Sequence, residues 1–361
     1  MQSVRFAFTF ICLACTGIAS AAPAPFNGKV DIGGCSIQID CLGVGTPTVI
    51  VETELNASAT NNPAWRAIAQ RVAQLTQICL YDRAGRGESD PPPAGKRSSD
   101  DIVADLHLAL ARAGITRPYL LAGHSIGGIF ALDFVRLHPR EVAGVVLIDS
   151  SHPEQVAGWR RVFPNPTPGE PEAVTHAREV LKNMDHADNP ESIDIGESYA
   201  EAGALQSLGS RPLIVLTHSS KWKMVPNLPE PVLAKLEAED QRLQRCFLKL
   251  SRRSRQMVAA SAGHELPEED PDLVVAGILD AVKMVRGRVS AGARTNAAST
   301  PQAIAPMPVR PELRLVDSME VGMTQLRRPF SMSSQPAAPN QLAKGSDATP
   351  TCSGSLVHAH A

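Results

Sequence analysis

The sequence predicts an α/β fold in which a mostly parallel sheet is covered by helices on both faces. Short apolar runs alternate with segments of helical spacing from about residue 28 to residue 287, and this alternation is typical of parallel sheets. The run PTVIVE is nearly continuous in β-branched residues, which is expected of a strand that is buried on both faces.

The first elements are predicted to be a hairpin, two strands and two helices. In KVDIGGCSIQIDCLG two alternating runs flank a pair of glycines, which predicts a β-hairpin. TPTVIVETE and TQICLYDR predict two strands, and NPAWRAIAQRVAQL between them has helical spacing. Ser98 or Ser99 can cap a helix that begins near Asp100 and ends at Gly114.

The later elements continue the alternation, with one interruption. PYLLAGHS predicts a strand, a helix follows from Ile126 to about His138, and AGVVLIDS predicts the sixth strand. Residues 152–209 hold broken helical patches without a strong strand, which predicts a helical insertion. The last predicted elements are the strand RPLIVLTHSS, the amphipathic helix EPVLAKLEAEDQRLQRCFLKLS, the strand RQMVAAS and the helix PDLVVAGILDAVKMV.

Both ends of the chain differ from the predicted domain at residues 22–287. Residues 1–21 contain Arg5 and the apolar stretch FAFTFICLACTGIAS, and they close on small residues. This pattern is typical of a signal peptide, with a membrane anchor as the alternative. Residues 288–361 are rich in Ala, Pro and Ser without periodicity, which predicts a disordered tail. We therefore expect an exported protein, periplasmic or secreted, that keeps no membrane span once the signal is removed.

Composition argues against several classes of function. The 35 basic residues balance 37 acidic ones, so neither a nucleic acid nor an anionic membrane is an expected partner. Aromatic residues make up only 4% of the chain, which argues against a stacking surface for bases or sugars. Of seven cysteines, Cys12 and Cys15 lie in the predicted signal. The other five are too sparse for a disulfide scaffold and have no zinc-site spacing.

The stretch Gly123-His124-Ser125-Ile126-Gly127 fits the pattern G-x-S-x-G. It lies where a predicted strand meets a predicted helix, and such a tight turn needs small residues on both sides of a strained nucleophile. The serine hydroxyl then projects above the sheet edge, where the helix N-terminus also points. Ser125 is therefore the candidate nucleophile, and the alternative is a glycine-rich turn with an idle serine.

A serine hydroxyl needs a base that takes its proton and an acid that orients the base. His264 follows the last predicted strand, so it lies at the same sheet edge as the serine. Asp149 ends the strand VVLID and is the favoured acid, although it could simply fix the turn that follows. Glu230 is the alternative acid, because no carboxylate directly follows the strand PLIVL.

An oxyanion hole requires two backbone N–H groups that point at one spot. The first candidate is the amide of Ile126, which follows the serine at the start of the predicted helix. The second should come from the loop after the strand TVIVE, where Leu55 is the favoured residue. Neither group requires a metal or an organic cofactor, and none is expected.

These motifs together resemble the α/β-hydrolase superfamily, in particular its exported bacterial members with a strand ending in YDRAG. The resemblance rests on PTVIVETEL, ICLYDRAGRGESD, PYLLAGHSIGG, VAGVVLIDSSHPEQ and SAGHEL, which follow one another over about residues 28–287. It implies an α/β-hydrolase fold with eight strands, crossed early strands, and the insertion after the sixth strand as a lid. It also implies a structural turn at YDRAGRG and glycines after VIVE, where this chain has Glu54 and Asn56.

The resemblance implies roles for individual residues as well. Ser125, His264 and Asp149 correspond to a catalytic triad. Cys41 is expected to face Cys79 from an antiparallel neighbouring strand, and the two form either a disulfide or a pair of buried thiols. The predicted function is that of a serine hydrolase, a carboxylesterase that acts on small or medium acyl esters. The alternatives are amide or carbon–carbon bond hydrolysis or acyl transfer on the same fold, and a non-catalytic binding protein.

Overall fold

A computed structural model of the chain describes residues 25–221, 225 and 227–297, with side chains up to residue 287. The predicted signal peptide at residues 1–21 and the predicted tail beyond Ala297 lie outside the described residues. Among the described helices, none combines the length and the apolar character needed to cross a membrane.

An eight-stranded sheet forms the centre of the domain. The strands are β1 (Asn27–Asp31), β2 (Ser36–Leu42), β3 (Thr48–Glu52), β4 (Ile78–Tyr81), β5 (Tyr119–His124), β6 (Val142–Ile148), β7 (Gly209–Thr217) and β8 (Ser251–Val258). Their order is β1-β2-β4-β3-β5-β6-β7-β8. The β1–β2 and β2–β4 pairs are antiparallel, and all other pairs are parallel. The predicted mostly parallel eight-stranded fold is therefore confirmed.

Nine helices are described. They are α1 (Pro63–Val72), α2 (Ser99–Arg112), α3 (Gly127–Leu137), α4 (Gln155–Val162), α5 (Glu172–Asn183), α6 (Ile195–Gly203), α7 (Glu230–Phe247), α8 (Leu266–Glu269) and α9 (Pro271–Ala297). Two short 3-10 turns lie at Met184–His186 and Leu248–Leu250. Asn62, the residue just before α1, caps this helix. Its side chain accepts hydrogen bonds from the Ala64 and Trp65 amides of the first turn.

The helices cover both faces of the sheet, as predicted. Trp65 of α1 and Ile278 of α9 are fully buried in the cluster on one face. Leu106 of α2 and Phe134 of α3 are buried in the cluster on the other face. Burying each such side chain contributes about 1.5–3 kcal/mol. Since both faces are covered, the central strands carry apolar residues on both sides, as all five residues of β3 are buried.

The segment between β6 and β7 forms the helical insertion that the sequence predicts. It contains α4, α5 and α6, and it has a hydrophobic cluster of its own. In that cluster Trp159 of α4 and Leu181 of α5 are buried with Leu236 of α7. We call this segment the lid. Because α7 contributes to the same cluster, the lid packs on a helix that follows the seventh strand.

Two boundaries differ from the prediction. The strand β8 begins at Ser251 and ends at Val258, earlier than the run RQMVAAS suggests. It is an edge strand that pairs only with β7, so most of its side chains are partly or fully exposed and its apolar pattern is weak. The helix α9 extends to Ala297, past the predicted domain end at residue 287. Its last turns are rich in alanine and precede any proline, which favours helix.

Candidate active site

The turn between β5 and α3 holds Ser125 in a strained conformation. Ser125 has a φ of 55°, in the left-handed region that few non-glycine residues adopt. A Cβ at Gly123 would lie 2.5 Å from the carbonyl oxygen of Gly127, and one at Gly127 would lie 2.3 Å from that of Glu52. Only glycine allows these close backbone approaches. The G-x-S-x-G pattern is thus explained by the steric requirements of the turn.

The structure brings together the three residues that the sequence singles out as a triad. The Ser125 hydroxyl lies 3.0 Å from Nε2 of His264, and Nδ1 of His264 lies 2.6 Å from Oδ2 of Asp149. Asp149 directly follows β6, and His264 lies in the loop between β8 and α8. The carboxylate paired with His264 is that of Asp149, whereas Glu230 is the first residue of α7.

His218 is a further partner of Asp149 that sequence reasoning missed. It directly follows β7, is fully buried, and places Nδ1 2.7 Å and its backbone N–H 3.0 Å from Oδ1 of Asp149. Burial alone would raise the pKa of Asp149, but the hydrogen bonds and charges of His218 and His264 hold it well below its usual range. The carboxylate therefore stays ionised. The sequence does carry a signal for it, because RPLIVLTHSS places a histidine directly after the strand, at the sheet edge that also holds Asp149 and His264.

A second carboxylate faces the other side of the His218 ring. Oε2 of Glu237, on α7, lies 3.1 Å from Nε2 of His218. Burial opposes a charge on the ring, yet the hydrogen bonds to Asp149 and Glu237 raise the pKa of His218 to about 10. Asp240, one helical turn further on, is also buried, and burial together with the charge of Asp149 raises its pKa to about 7. His218 is thus a buried cation among carboxyl groups.

The two predicted oxyanion donors are available. Within residues 25–221, 225 and 227–297, neither the Ile126 amide nor the Leu55 amide donates a hydrogen bond to a protein group. The Ile126 amide lies at the N-terminus of α3, where the helix dipole favours negative charge. Gly127 approaches the carbonyls of Glu52 and Thr53, so the loop after β3 runs beside this helix start.

An ion pair between Arg83, which follows β4, and Glu191 of the lid holds the loop that carries Leu55. Arg83 lies 2.7 and 2.8 Å from the two carboxylate oxygens of Glu191, and it donates to the carbonyl oxygens of Thr53 and Glu54. Glu191 also accepts the Asn56 amide at 2.5 Å. Arg83 and Glu191 are both almost fully buried. These contacts of Arg83 are therefore consistent with the structural role predicted for the YDRAG turn.

Glu54, the unusual residue of this loop, has a partner in the turn itself. Its carboxylate lies 2.9 Å from Nδ1 of His124, whose Nε2 lies 2.9 Å from the carbonyl oxygen of His264. Both ring nitrogens therefore face acceptors, which requires a protonated ring. Burial opposes this charge, but the pairing raises the pKa of His124 and lowers that of Glu54. Glu54 thus points at His124, and through that histidine it links the loop after β3 to the loop of His264.

The predicted pairing of Cys41 with Cys79 is present as a disulfide. Cys41 of β2 is directly opposite Cys79 of β4, and the two are joined by a disulfide.

Near the turn, Glu54, His124 and Glu265 are close enough for a metal ion. Both nitrogens of His124 are already engaged by oxygen acceptors, however, so this group does not fit a cation.

Comparison with known proteins adds a family. Residues 55–277 match the model of the alpha/beta hydrolase family. A protein of Gibberella zeae described as an AB hydrolase superfamily protein is 25% identical over 286 residues, which is 66% of this chain and 87% of that one. An uncharacterized protein of Schizosaccharomyces pombe is 43% identical over 76 residues, 21% of this chain and 14% of its own length. The chain spans less than half the length of four other curated relatives.

Solved structures support the same fold. A loop variant of the haloalkane dehalogenase DbeA from Bradyrhizobium elkanii superimposes with a TM-score of 0.52 at 16% identity. The match covers 74% of this chain and 98% of the dehalogenase. At this identity the likeness concerns the fold alone. The family model matches more than half of this chain, and the sheet order and the serine turn agree with it. The chain therefore belongs to the α/β hydrolase family.

Proposed function

We propose that this α/β hydrolase is a serine esterase that acts on small or medium acyl esters. The observation that carries the proposal is the continuous hydrogen-bonded line from Ser125 through His264 to Asp149, with distances of 3.0 and 2.6 Å. The family assignment supports hydrolysis in general. The serine at the turn supports an acyl-enzyme route, because a hydroxyl beside a base is a nucleophile suited to acyl transfer.

The geometry supports a specific sequence of steps. Ser125 Oγ attacks the ester carbonyl carbon while Nε2 of His264 takes the hydroxyl proton. The tetrahedral oxyanion is stabilised by the amides of Ile126 and Leu55. His264 then passes its proton to the leaving alcohol as the C–O bond breaks, which leaves an acyl group on Ser125. Water, deprotonated by His264, attacks this acyl group, and the carboxylic acid is released with the serine hydroxyl restored.

Asp149 and the turn supply the electrostatic part of this mechanism. The ionised Asp149 stabilises the imidazolium that forms when His264 takes a proton, without itself becoming protonated. One oxyanion donor typically accounts for about 10²–10³-fold in rate. The strained backbone of Ser125 places its hydroxyl at the N-terminus of α3, within 3.0 Å of Nε2 of His264.

A fluorophosphonate probe tests the nucleophile. The wild type should become labelled and Ser125→Ala should not, whereas Ser207→Ala should label as the wild type does. Ser207 is an exposed serine that precedes β7 and accepts a hydrogen bond from the Gly209 amide, so it is a matched control. A wild type that stays unlabelled while folded would remove the serine hydrolase proposal and leave the non-catalytic binding protein as the better interpretation.

A substrate series distinguishes the ester preference from other serine chemistry. p-Nitrophenyl acetate, butyrate and octanoate should be hydrolysed with kcat/KM well above that of the matching p-nitroanilides. Equal or faster anilide hydrolysis would point to an amidase. Labelling by the probe without turnover of either series would point to acyl transfer or carbon–carbon bond hydrolysis.

Export is a second part of the proposal. It is supported by the signal-like residues 1–21 and by the Cys41–Cys79 disulfide, since structural disulfides persist mainly in oxidising compartments. Expression of the full chain in a bacterial host should give a shortened product in the periplasm or the medium. A full-length product that remains in the cytoplasm would contradict export, whatever the result of the probe experiment.

A further inference from the structure

His218 occupies an unusual position beside the candidate triad. It follows the strand adjacent to that of Asp149, and its side chain is fully buried between the carboxylates of Asp149 and Glu237. The proposed ester hydrolysis uses His264 as base and assigns no task to a second histidine. A buried, charged group that touches the catalytic acid needs an explanation of its own.

We propose that His218 is a protonated positioning residue, which fixes the carboxylate of Asp149 toward His264 and keeps that carboxylate ionised. This inference rests on the proposed function of the same site. His218 acts through Asp149, because it contacts Oδ1 of that carboxylate while His264 contacts Oδ2.

The hydrogen bonds around Asp149 support this positioning role. Oδ1 of Asp149 accepts two hydrogen bonds from one residue, the ring Nδ1–H and the backbone N–H of His218, at 2.7 and 3.0 Å. Two donors on one oxygen fix the rotation of the carboxylate, and Oδ2 is left for His264 at 2.6 Å. The backbone of Asp149 has a φ of 39°, which is unfavourable for aspartate unless its surroundings hold it. The His218 pair supplies that hold from the neighbouring strand.

The charges around the His218 ring support its protonated state. Each ring nitrogen of His218 faces a carboxylate, Asp149 on one side and Glu237 on the other. A neutral ring would turn one lone pair toward a carboxylate oxygen, so the protonated ring fits both partners. Glu237 is held in turn by the Gln241 amide, which donates to it at 3.0 Å. α7 therefore provides the counter-charge that keeps His218 protonated.

The remaining titratable groups around the ring show what this cation prevents. Asp149 approaches it from the end of β6, Glu237 and Asp240 from α7, and His264 interacts with Asp149 from the opposite side. Without His218, up to three carboxyl groups would face one another in a site with little water. Asp240 already retains a proton near neutral pH, since its pKa is about 7, and loss of the cation would also favour the protonated forms of Asp149 and Glu237. A protonated Asp149 would be an uncharged and weaker acceptor for Nδ1–H of His264, and it could not stabilise the imidazolium.

Removal of this charge should therefore move the acid limb of the pH–rate profile upward. At an effective dielectric constant of about 20, a unit charge about 6 Å away shifts a pKa by about two units. Because salt screens a buried charge only weakly, we take about one unit as the smallest shift to be expected. The sign follows from electrostatics, because loss of a nearby cation favours the protonated form of Asp149.

The test compares kcat/KM against pH for the wild type, His218→Ala, His218→Asn and the double variant His218→Ala/Glu237→Gln. His218→Ala should lose at least tenfold in kcat/KM at pH 7 and shift its acid limb upward by about one unit. His218→Asn retains a donor near Nδ1 without charge, so it should regain kcat at high pH while its acid limb remains shifted. The double variant also removes the opposing carboxylate, so the acid limb of its pH–rate profile should return part of the way to that of the wild type.

His107→Ala is the matched control. It changes a histidine of α2 that is paired with Glu141, and its acid limb should stay that of the wild type.

The outcomes separate the inference from the proposed function. A wild type without fluorophosphonate labelling would overturn the proposed function itself. A labelled wild type combined with a wild-type acid limb in His218→Asn would overturn only the role of His218, and this readout holds even if His218→Ala fails to fold. A double variant whose limb is no lower than that of His218→Ala would also overturn it, because a merely structural histidine predicts no recovery.

Discussion

Replacing Glu191 with glutamine removes the charge that pairs with the buried Arg83. Nε and Nη2 of Arg83 lie 2.7 and 2.8 Å from the two carboxylate oxygens of Glu191, and both side chains are almost fully buried. Glutamine has the same size, but its amide nitrogen cannot accept a hydrogen bond from the guanidinium. The perturbation therefore isolates the charge and one hydrogen bond from the packing.

The magnitude follows from the surroundings of Arg83. Removing one partner of a buried ion pair costs about 3–5 kcal/mol of unfolding free energy. Glu52 offers partial compensation, because its carboxylate lies 3.8 Å from Nη1 of Arg83 and burial raises its pKa to about 7. Once Glu191 is neutral, Glu52 can ionise more readily beside the arginine. We therefore expect Glu191→Gln to destabilise the protein by about 2–4 kcal/mol.

Urea unfolding monitored by tryptophan fluorescence measures this loss, and ester turnover measures its consequence for the oxyanion loop. Glu191→Ala should lower kcat further than Glu191→Gln, because alanine also removes the acceptor of the Asn56 amide. Asp280→Asn disrupts a surface pair with Arg255 and should change stability by less than about 1 kcal/mol. If Glu191→Gln were as mild as this control, the assigned role of the buried pair would be wrong.

Three further changes test other parts of the structure. Asp149→Asn should lower kcat/KM for a p-nitrophenyl ester by about 10³-fold or more, because an amide cannot stabilise the charged base; a loss below tenfold would argue for another acid. Gly127→Ala should lower the melting temperature sharply, because its Cβ would lie 2.3 Å from a backbone oxygen, whereas Gly287→Ala meets nothing within 4 Å and should not. Reduction of Cys41–Cys79, which closes a loop between residues 38 apart, should cost about 2–4 kcal/mol in urea unfolding. Mass spectrometry should then count two additional thiols, and two free thiols there before reduction would contradict the bond.

The turn around Ser125 could be predicted because its constraints are local. Three closely spaced glycines in a strand-to-helix context leave few conformations, and the sequence alone carries that information. The nearby placement of Asp149 and His264 also follows from sequence, since the carboxyl ends of parallel strands share one edge of the sheet. These expectations needed only the order of the elements.

The contacts that depend on tertiary packing could not be predicted in the same way. Arg83 and Glu191 are 108 residues apart, and nothing in the irregular lid sequence indicates where a glutamate will point. His218 lay at a predicted strand end, but its charge depends on Glu237, whose position is set by how α7 packs. The early start of β8 was hidden for a related reason, because an edge strand has no strict apolar pattern.

The two histidines beside the base have a common physical role in the arrangement of the site. His124 joins Glu54 of the oxyanion loop to the carbonyl of His264, and His218 joins Asp149 to α7. Buried ion pairs contribute little net stability compared with apolar packing, because desolvation offsets much of their attraction. Their directional hydrogen bonds, however, hold each loop in one position before substrate arrives. The proposed mechanism would benefit from this arrangement, because transition-state stabilisation requires dipoles that do not reorganise during the reaction.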